Sequence, residues 1–231
     1  MSKTAIIIPI KKFDKSKTRL SPFLDPKERK ELTEYLVIDL LGKLCELENS
    51  QIIIVTGERI NSLEKFNDIV IINEINLNGV NNAIGLANEF VEKGGFKESL
   101  IIPIDLPLLS TKDIKDIIKF SGRFENGICI VPSLRYDGTN VLLRKPNLII
   151  DTFYDNNSFY NHIKKTFEKK KVVKIFNYEN LMIDLDTIED AMTIINRFNE
   201  MIDSDKIEDK LKYSNSINFL KEIMENKVTS I

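Results

Sequence analysis

The stretch Ala5-Ile6-Ile7-Ile8-Pro9-Ile10 is apolar at every position. A strand with one face in water alternates apolar and polar residues, whereas a continuous apolar run is typical of a parallel strand covered on both faces. Comparable runs rich in Ile and Val follow at residues 51–56, 69–72, 100–104 and 128–131. Together the runs predict the strands of a buried and mostly parallel sheet.

Helical patterns lie between these runs. Asp25-Pro26 offers an N-cap followed by proline at the first helical position, and Ser110 to Asp113 resembles a capping box. The first of these starts is followed by leucines at four-residue spacing, which are Leu32, Leu36, Leu40 and Leu44. The alternation of strand and helix predicts an α/β fold, a three-layer α/β/α sandwich.

The second half of the chain departs from strict alternation. Residues 139–144 and 172–176 resemble strands, and a helical pattern at 159–169 lies between them, so we expect a mixed sheet with an antiparallel element. Beyond residue 200 the sequence is polar with scattered apolar residues, which predicts helices packed on the outside. We expect a single domain over 1–231, with a core at 4–198 and a C-terminal helical extension at 199–231.

Composition excludes several classes of protein. The chain has 33 Lys and Arg against 35 Asp and Glu, a net charge of −2, which indicates no general affinity for nucleic acid or membranes. No apolar run approaches the roughly 18 residues of a membrane span, and the N-terminus does not resemble a signal peptide. We therefore expect a cytoplasmic protein. Cys129 lies in an apolar run and is predicted to be a buried core residue.

Three carboxylates close apolar stretches. Asp105 follows the run at 100–104, and Asp184 and Asp186 end a later one. Ligands of open α/β sheets bind beyond the carboxyl ends of the strands, where Mg²⁺ prefers carboxylates and phosphate oxygens. In extended backbone Asp184 and Asp186 point to the same side, so the three acids predict a Mg²⁺ site. Alternatively, Asp186 or Thr187 is the N-cap of the helix that follows.

The loop after the first strand carries five cations and no glycine between Lys11 and Arg19. It is therefore neither a Walker loop nor a dinucleotide-binding fingerprint. Lys11, Lys17 and Arg19 are candidates to neutralise a triphosphate, with Arg19 suited to bidentate contact. The alternative is a solvated basic loop.

Further polar residues are candidates for ligand contact. Thr139 and Asn140 follow a turn that could bind an anion or be a plain hairpin turn. Ser158 stands at a predicted helix N-terminus, where it either binds a phosphate or carboxylate or only caps the helix. Asn81 could recognise a nucleobase or start a helix. His162, the only histidine, is interpreted as a structural hydrogen-bonding residue rather than a general base.

The order of these motifs resembles the CofC family, the guanylyltransferases of coenzyme F420 biosynthesis, which are related to molybdenum-cofactor nucleotidyltransferases and other nucleotide-diphospho-sugar transferase folds. The resemblance covers residues 4–198. The motifs that carry it are Pro9-x-Lys11, Ser16-Lys17-x-Arg19-Leu20, Asn81-x-Ala83, Pro103-x-Asp105-x-Pro107-Leu108, Gly138-Thr139-Asn140, Ser158-Phe159-x-x-His162 and Asp184-x-Asp186-Thr187. The sequence departs from the family at Asp137 and Tyr154, where glycines are common.

The resemblance implies that a phospho-hydroxyacid, either 2-phospho-L-lactate or phosphoenolpyruvate, attacks the α-phosphorus of GTP and releases pyrophosphate. It implies catalytic roles for Asp105, Lys17 and Arg19. The implied ligand contacts are Asp105, Asp184 and Asp186 for Mg²⁺; Lys11, Lys17, Arg19, Asn81 and Asp105 for GTP; and Thr139, Asn140 and Ser158 for the phospho-acid. A homodimer and handover of an unstable product to the next transferase of the pathway are also implied.

Simple chemistry agrees with this reading of the residues. The attacking group is already a phosphate anion, so catalysis needs positioning and neutralisation of negative charge rather than a strong general base. Two alternatives stay open on the sequence. One is a cytidylyl- or uridylyltransferase acting on another phosphorylated acceptor, and the other is a nucleotide-binding scaffold without catalysis.

Overall fold

The computed structural model describes residues 3–13, 16–74, 79–204, 211 and 213–228. Within these ranges the strands are β1 (Thr4–Ile10), β2 (Ser50–Thr56), β3 (Ile69–Asn73), β4 (Glu98–Ile101), β5 (Gly127–Pro132), β6 (Thr139–Lys145) and β7 (Val172–Ile175). The α-helices are α1 (Pro26–Leu44), α2 (Val80–Lys93), α3 (Thr111–Ser121), α4 (Ser158–Glu168), α5 (Glu179–Met182), α6 (Ile188–Asp203) and α7 (Asn215–Val228). No helix in the described ranges is both long enough and apolar enough to cross a membrane.

The strands form one sheet in the order β3-β2-β1-β4-β6-β5-β7. Every pair of neighbours is parallel except those that include β6, which runs antiparallel to both β4 and β5. The prediction of a mixed, mostly parallel sheet is confirmed. Because β1 and β4 are adjacent and parallel at its centre, their carboxyl ends open at the same edge.

The predicted strand at 100–104 is wrong in its bounds, since β4 starts two residues earlier and ends at Ile101. The amide of Ile102 still donates to the carbonyl of Ile7 at 3.0 Å, but Pro103 has no N–H with which to continue the ladder. The chain leaves the sheet there. Asp105 consequently lies on a loop beyond the strand rather than at its last position.

Both faces of the sheet are buried, which explains the continuous apolar runs. On β1, Ile6, Ile8 and Ile10 point into a cluster with residues of α1 and α3, whereas Ala5 and Ile7 join a cluster with α2. The three-layer sandwich is thereby confirmed. The core position predicted for Cys129 is confirmed too, and its burial raises the pKa of the thiol to about 12.

The predicted starts of two helices are confirmed. The Asp25 carboxylate accepts hydrogen bonds from the amides of Lys27 and Glu28, and the Glu28 carboxylate returns a contact to the Asp25 amide at 2.8 Å, which completes a capping box. At the start of α3 the Ser110 hydroxyl accepts from the Asp113 amide at 3.1 Å.

The C-terminal helix α7 packs on α1, as the sequence predicted for this segment. Asp39 of α1 is the anchor. Its carboxylate accepts from the hydroxyls of Ser214 and Ser216, both at 2.7 Å, and from the amide of Ser216 at 2.8 Å. The amide and side-chain nitrogen of Asn215 donate to it at 3.0 and 2.7 Å. One carboxylate therefore satisfies most polar groups at the start of α7.

We expect Asp39→Ala to destabilise the protein by about 2–3 kcal/mol, because the buried hydroxyls of Ser214 and Ser216 lose their acceptor. Urea denaturation measures the loss, and hydrogen exchange of the α7 amides shows where it acts. Asp39→Asn is the matched control, since it keeps one carbonyl acceptor at nearly the same volume. Unchanged exchange protection of α7 in Asp39→Ala would contradict the anchoring role.

Candidate active site

A cleft of about 850 Å³ opens at the carboxyl ends of β1 and β4. Its walls are the loop after β1, the loop after β4, the hairpin between β5 and β6, the segment before α4 and the segment before α6. The cleft brings together almost all the predicted site residues, which are Lys11, Lys17, Arg19, Asp105, Thr139, Asn140, Ser158, Asp184 and Asp186. The exception is Asn81, which does not line it.

Lys17 points into the cleft instead of into solvent. Its backbone is left-handed, with φ of 54°, and its side chain is only 4% exposed. The ammonium group donates to Asp105 Oδ2 at 3.1 Å, to the Leu185 carbonyl at 2.5 Å and to Asp186 Oδ1 at 3.4 Å. A left-handed conformation is unfavourable for a lysine, and these three oxygens compensate by using all three ammonium protons.

Asp186 is not the cap of α6. Thr187 is the N-cap, with its hydroxyl accepting from the Asp190 amide at 3.3 Å and its own amide donating to the Asp190 carboxylate at 2.7 Å. The Asp186 carboxylate instead pairs with Lys17 and, at 3.6 Å, with Arg19. The alternative that the sequence left open is thus decided for Thr187, and Asp186 faces the cleft.

Asp184 is the third acid of the cluster. Burial, followed by repulsion from Asp105 and Asp186, raises its carboxyl pKa to about 6. Lys17 and Arg19 pair with the other two carboxylates, and no described cation forms an ion pair with Asp184. Asp184, half-buried, is therefore the one acid of the cluster without a cation of its own.

The fit of a metal ion follows from these donors. No three acids, histidines or cysteines of the described residues are already assembled as a metal-binding group, and the Lys17 ammonium lies between Asp105 and Asp186. The donors are nevertheless all carboxylate oxygens, which Mg²⁺ prefers, and Asp184 has no paired cation. A divalent cation fits these three carboxylates, and it would compete with Lys17 for Asp105 and Asp186.

At the other end of the cleft, Thr139 and Ser158 meet although 19 residues separate them. The Ser158 hydroxyl donates to Thr139 Oγ1 at 3.2 Å, and Thr139 Oγ1 lies 3.0 Å from Nδ1 of His162. Asn140, which also lines the cleft, uses its side-chain nitrogen to bind the Leu181 carbonyl at 2.9 Å. Two hydroxyls therefore form the polar floor of this end.

The start of α4 lies beside these hydroxyls. Asn157 is the N-cap, in left-handed conformation and without a side-chain capping bond, so Ser158 is the first helical residue and not the cap. The first amides of a helix lack partners within it and favour anions. The interpretation of His162 as a hydrogen-bonding residue is confirmed by its contacts with the Thr139 hydroxyl and the Phe153 amide. Burial lowers the pKa of its imidazole to about 3, so the ring is neutral near pH 7.

The turn before Thr139 is a β-hairpin closed by a side chain. Ser133 Oγ accepts from the Gly138 amide at 2.9 Å and donates to Asp137 Oδ1 at 2.8 Å, which lowers the pKa of the Asp137 carboxyl. A Cβ on Gly138 would come within 3.1 Å of Ser133, so glycine fits this turn best. The Gly138 amide is therefore used within the hairpin, and Thr139, the next residue, lines the cleft.

Asn81 binds the segment of the cleft wall that precedes α4. Its side-chain oxygen accepts from the Tyr154 amide at 2.9 Å, and its nitrogen donates to the Asp155 carboxylate at 3.2 Å. Both halves of the amide thus bind the segment that leads into α4. The observed contacts of Asn81 are with the chain itself, and its predicted role at a nucleobase stays a prediction.

A second, smaller cavity of about 210 Å³ adjoins the cleft between the end of β1 and the start of α2. Apolar side chains line most of it, and Glu74, only 5% exposed, stands on its wall. Sequence reasoning missed Glu74. The signal that could have found it is an acid directly after β3, at the edge of the sheet where ligands bind.

These features define a class of protein. A mostly parallel α/β sheet with a cation–carboxylate cleft at the carboxyl ends of its strands fits the nucleotide-diphospho-sugar transferase fold. A Desulfovibrio desulfuricans G20 protein assigned to the nucleotide-diphospho-sugar transferases superposes with a TM-score of 0.73 at 16% identity, over 97% of this chain and 98% of that one. At that identity the likeness concerns the fold.

The sequence model described as "Guanylyl transferase CofC like" matches residues 4–222, and the chain belongs to this family. The sequence motifs placed the end of the resemblance at residue 198, and this bound is wrong because the match continues into α7. A 2-phospho-L-lactate guanylyltransferase of Methanocaldococcus jannaschii is 35% identical over 190 residues, 81% of this chain and 80% of that protein. A relative of the same name from Methanobrevibacter smithii is 31% identical over 189 residues, 82% of each chain.

Proposed function

We propose that the protein transfers GMP from GTP to a phospho-hydroxyacid, with 2-phospho-L-lactate as the first candidate and phosphoenolpyruvate as the second, in coenzyme F420 biosynthesis. The observation that supports this assignment best is that the two ends of the cleft carry different chemical groups. One end carries cations and carboxylates suited to a metal-bound triphosphate, and the other carries hydroxyls and a helix start suited to a small anion. Relatives named 2-phospho-L-lactate guanylyltransferase support the acceptor.

The reaction balances without an added base. A phosphate oxygen of the acceptor forms a bond to the α-phosphorus of GTP while the bond to pyrophosphate breaks, and no proton has to be removed from the attacking anion. The neutral His162, buried behind Thr139, fits a reaction without proton abstraction. The residues of the chain have to hold two anions, GTP and the phospho-acid, close together. Catalysis therefore depends on positioning and charge neutralisation.

The triphosphate needs positive charge in particular. We assign Mg²⁺ to Asp105, Asp184 and Asp186, where it would neutralise phosphate oxygens and orient them. Lys17 and Arg19 already lie against two of these acids, so their charges are available at the same place. Lys11, exposed at the end of β1, lines both cavities and is the third cation that we assign to GTP.

We assign the guanine base to the smaller cavity. It shares Pro9, Lys11 and Val80 with the cleft, so a nucleotide with its phosphates in the cleft can extend into it. Guanine presents two adjacent donors, N1–H and the 2-amino group, which one carboxylate can accept together. Glu74 on the wall of this cavity is our candidate for that contact.

We expect Glu74→Gln to reduce the preference of the enzyme for GTP over ITP, which lacks the 2-amino group, by about 10-fold, since a bidentate contact discriminates by about 1–3 kcal/mol. The ratio of kcat/KM for the two nucleotides measures it. The exposed Glu64→Gln is the matched control. An unchanged GTP/ITP ratio in Glu74→Gln would remove Glu74 from base recognition.

Product analysis tests the function as a whole. The protein is incubated with Mg²⁺, each of the four NTPs and a panel of phospho-acids and sugar phosphates; pyrophosphate is followed, and products are identified by mass spectrometry. We expect turnover with GTP and 2-phospho-L-lactate. Turnover only with CTP or UTP and a sugar phosphate would instead identify a different nucleotidyltransferase, and none with any pair would favour a binding scaffold.

We further propose, from the family resemblance, a cytoplasmic homodimer that passes its product directly to the next transferase of the pathway. Light scattering of the purified protein measures the oligomeric state. A coupled assay with and without an inert trap for the free product distinguishes direct transfer from diffusion.

A further inference from the structure

His162 is buried completely and is the only histidine of the chain. It does not itself line the cleft, and it contacts two residues that do, Thr139 and Tyr154. The backbone amide of Phe153 donates to its Nε2 at 2.9 Å. A ring nitrogen that accepts a hydrogen bond carries no proton, so in the neutral imidazole the proton is on Nδ1. The contact with Phe153 therefore decides the tautomer of His162.

With that tautomer, Nδ1–H of His162 donates to Thr139 Oγ1, 3.0 Å away. The Ser158 hydroxyl donates to the same oxygen at 3.2 Å. A hydroxyl oxygen accepts at most two hydrogen bonds and donates one. Both acceptor positions of Thr139 are thus filled from inside the protein, and its one remaining capacity is the donation of its own proton.

We propose that His162 is a positioning residue that fixes the Thr139 hydroxyl as a hydrogen-bond donor to an anionic oxygen of the phospho-acid in the cleft. Thr139 lines the cleft beside the start of α4, where an anion would also meet helix amides. A hydroxyl free to rotate could present either lone pairs or its proton, whereas this one presents only the proton. The inference rests on the proposed function, because the phospho-acid is assigned to this end.

NMR of the protein labelled with ¹⁵N-histidine measures the tautomer directly. Because the chain has one histidine, the spectrum contains the signals of a single imidazole. We expect Nδ1 to be protonated and Nε2 to be unprotonated from about pH 6 to about pH 8. On addition of 2-phospho-L-lactate the Nδ1–H signals should shift in the wild type and stay unchanged in Thr139→Val. A proton on Nε2, or no shift at saturating 2-phospho-L-lactate, would overturn the proposal.

Kinetics of paired variants separates positioning from a merely structural role. We expect His162→Phe, which keeps the ring shape without nitrogens, to raise KM for the phospho-acid about 10- to 100-fold while KM for GTP stays unchanged. His162→Asn, which keeps a donor near Nδ1, should recover part of that loss. In a Thr139→Val background His162→Phe should raise KM no further, because the group through which it acts is gone.

The outcomes also distinguish this inference from the proposed function. Suppose that the wild type releases pyrophosphate from GTP. If His162→Phe then raises KM for GTP and KM for the phospho-acid equally, or raises KM further in the Thr139→Val background, the positioning role is wrong and the function stands. If the wild type releases no pyrophosphate but shows the Nδ1 proton and its response to 2-phospho-L-lactate, the inference stands and the transfer reaction is wrong.

Discussion

Asp184→Asn is expected to lower kcat about 100- to 1,000-fold, the effect typical of removing one preorganised group that stabilises charge in the transition state. Asp105→Asn should have an effect of the same size. Both acids line the cleft within the carboxylate cluster, and both are candidates to hold the cation on which the triphosphate depends. Steady-state pyrophosphate release at saturating GTP and phospho-acid measures kcat, and its dependence on Mg²⁺ concentration shows whether metal affinity is lost as well.

The same substitution should leave the fold intact and stabilise the metal-free protein near neutral pH. The pKa of Asp184 rises from 3.8 to about 6 on folding, so the folded state holds its proton to higher pH than the unfolded state does. Its charge therefore destabilises the protein increasingly between these two values and fully above the higher one. We expect Asp184→Asn to gain about 1–2 kcal/mol above the folded pKa, reduced from the full linkage value because the group is partly solvated.

A control variant and a measurement at lower pH test the explanation for Asp184→Asn. Asp116→Asn, on the exposed side of α3, is the same chemical change outside the cleft and should leave kcat and stability unchanged. Urea denaturation of Asp184→Asn near pH 3 should show no gain over the wild type, because below the unfolded pKa of 3.8 the wild-type side chain is neutral in both the folded and the unfolded state. Near-normal kcat for Asp184→Asn with unchanged Mg²⁺ dependence would remove this residue from the catalytic cluster.

The sequence predicted that the three acids meet, and for Asp105 the reason is the expected one, because the parallel strands β1 and β4 end at the same edge of the sheet. Asp184 and Asp186 follow the short helix α5 and not a strand, so the strand end expected before them is wrong. They reach Asp105 through the hydrogen bond from the Leu185 amide to the Asp105 carbonyl, 2.9 Å long.

The sequence could not predict the conformation of Lys17. The inward turn of that side chain depends on a left-handed backbone stabilised by oxygens 88 and 169 residues away. Contacts of that range are fixed by the assembled fold and leave no periodic pattern in the local sequence.

Local sequence was also insufficient at two helix starts. Asp186 and Thr187 both resemble N-caps, and the choice between them depends on Asp190, whose carboxylate returns the bond to the Thr187 amide. At α4 the cap is Asn157, in a left-handed conformation without a capping bond, which no preference for Ser or Asp predicts. Pro103, by contrast, ends β4 for a reason that is local and visible, since proline lacks the amide proton.

Substitution of the buried Arg144 is expected to cause a large loss of stability. Arg144 lies on β6 with no exposed surface, and no described carboxylate pairs with it. Its guanidinium donates to Ser99 Oγ at 3.1 Å, to the Ile150 carbonyl at 3.2 Å and to Asn88 Oδ1 at 2.7 Å. Burial lowers its pKa to about 10, so the side chain remains charged at neutral pH and depends on these neutral acceptors.

Arg144→Met should therefore destabilise the protein by about 3–5 kcal/mol, since each buried acceptor left without its donor costs about 1–3 kcal/mol. The loss arises because the buried Ser99 hydroxyl and Ile150 carbonyl no longer receive a hydrogen bond from Arg144 and cannot reach water. Urea denaturation at pH 7 measures the change. Exposed Arg59→Met is the matched control and should shift the free energy of unfolding by less than about 0.5 kcal/mol.

The cause of that loss can be isolated by removing the acceptors together with the donor. Adding Ser99→Ala and Asn88→Leu to Arg144→Met should recover part of the lost stability, because two of the acceptors left without a donor are replaced by apolar groups. The recovery is incomplete because the Ile150 carbonyl stays without its donor and the Asn147 carbonyl loses the Ser99 hydroxyl. If the triple variant is instead as unstable as the sum of the three single changes, the stabilisation by Arg144 comes from its own packing volume. Arg144→Lys then separates the two cases, since it keeps the charge but cannot bind three acceptors at once.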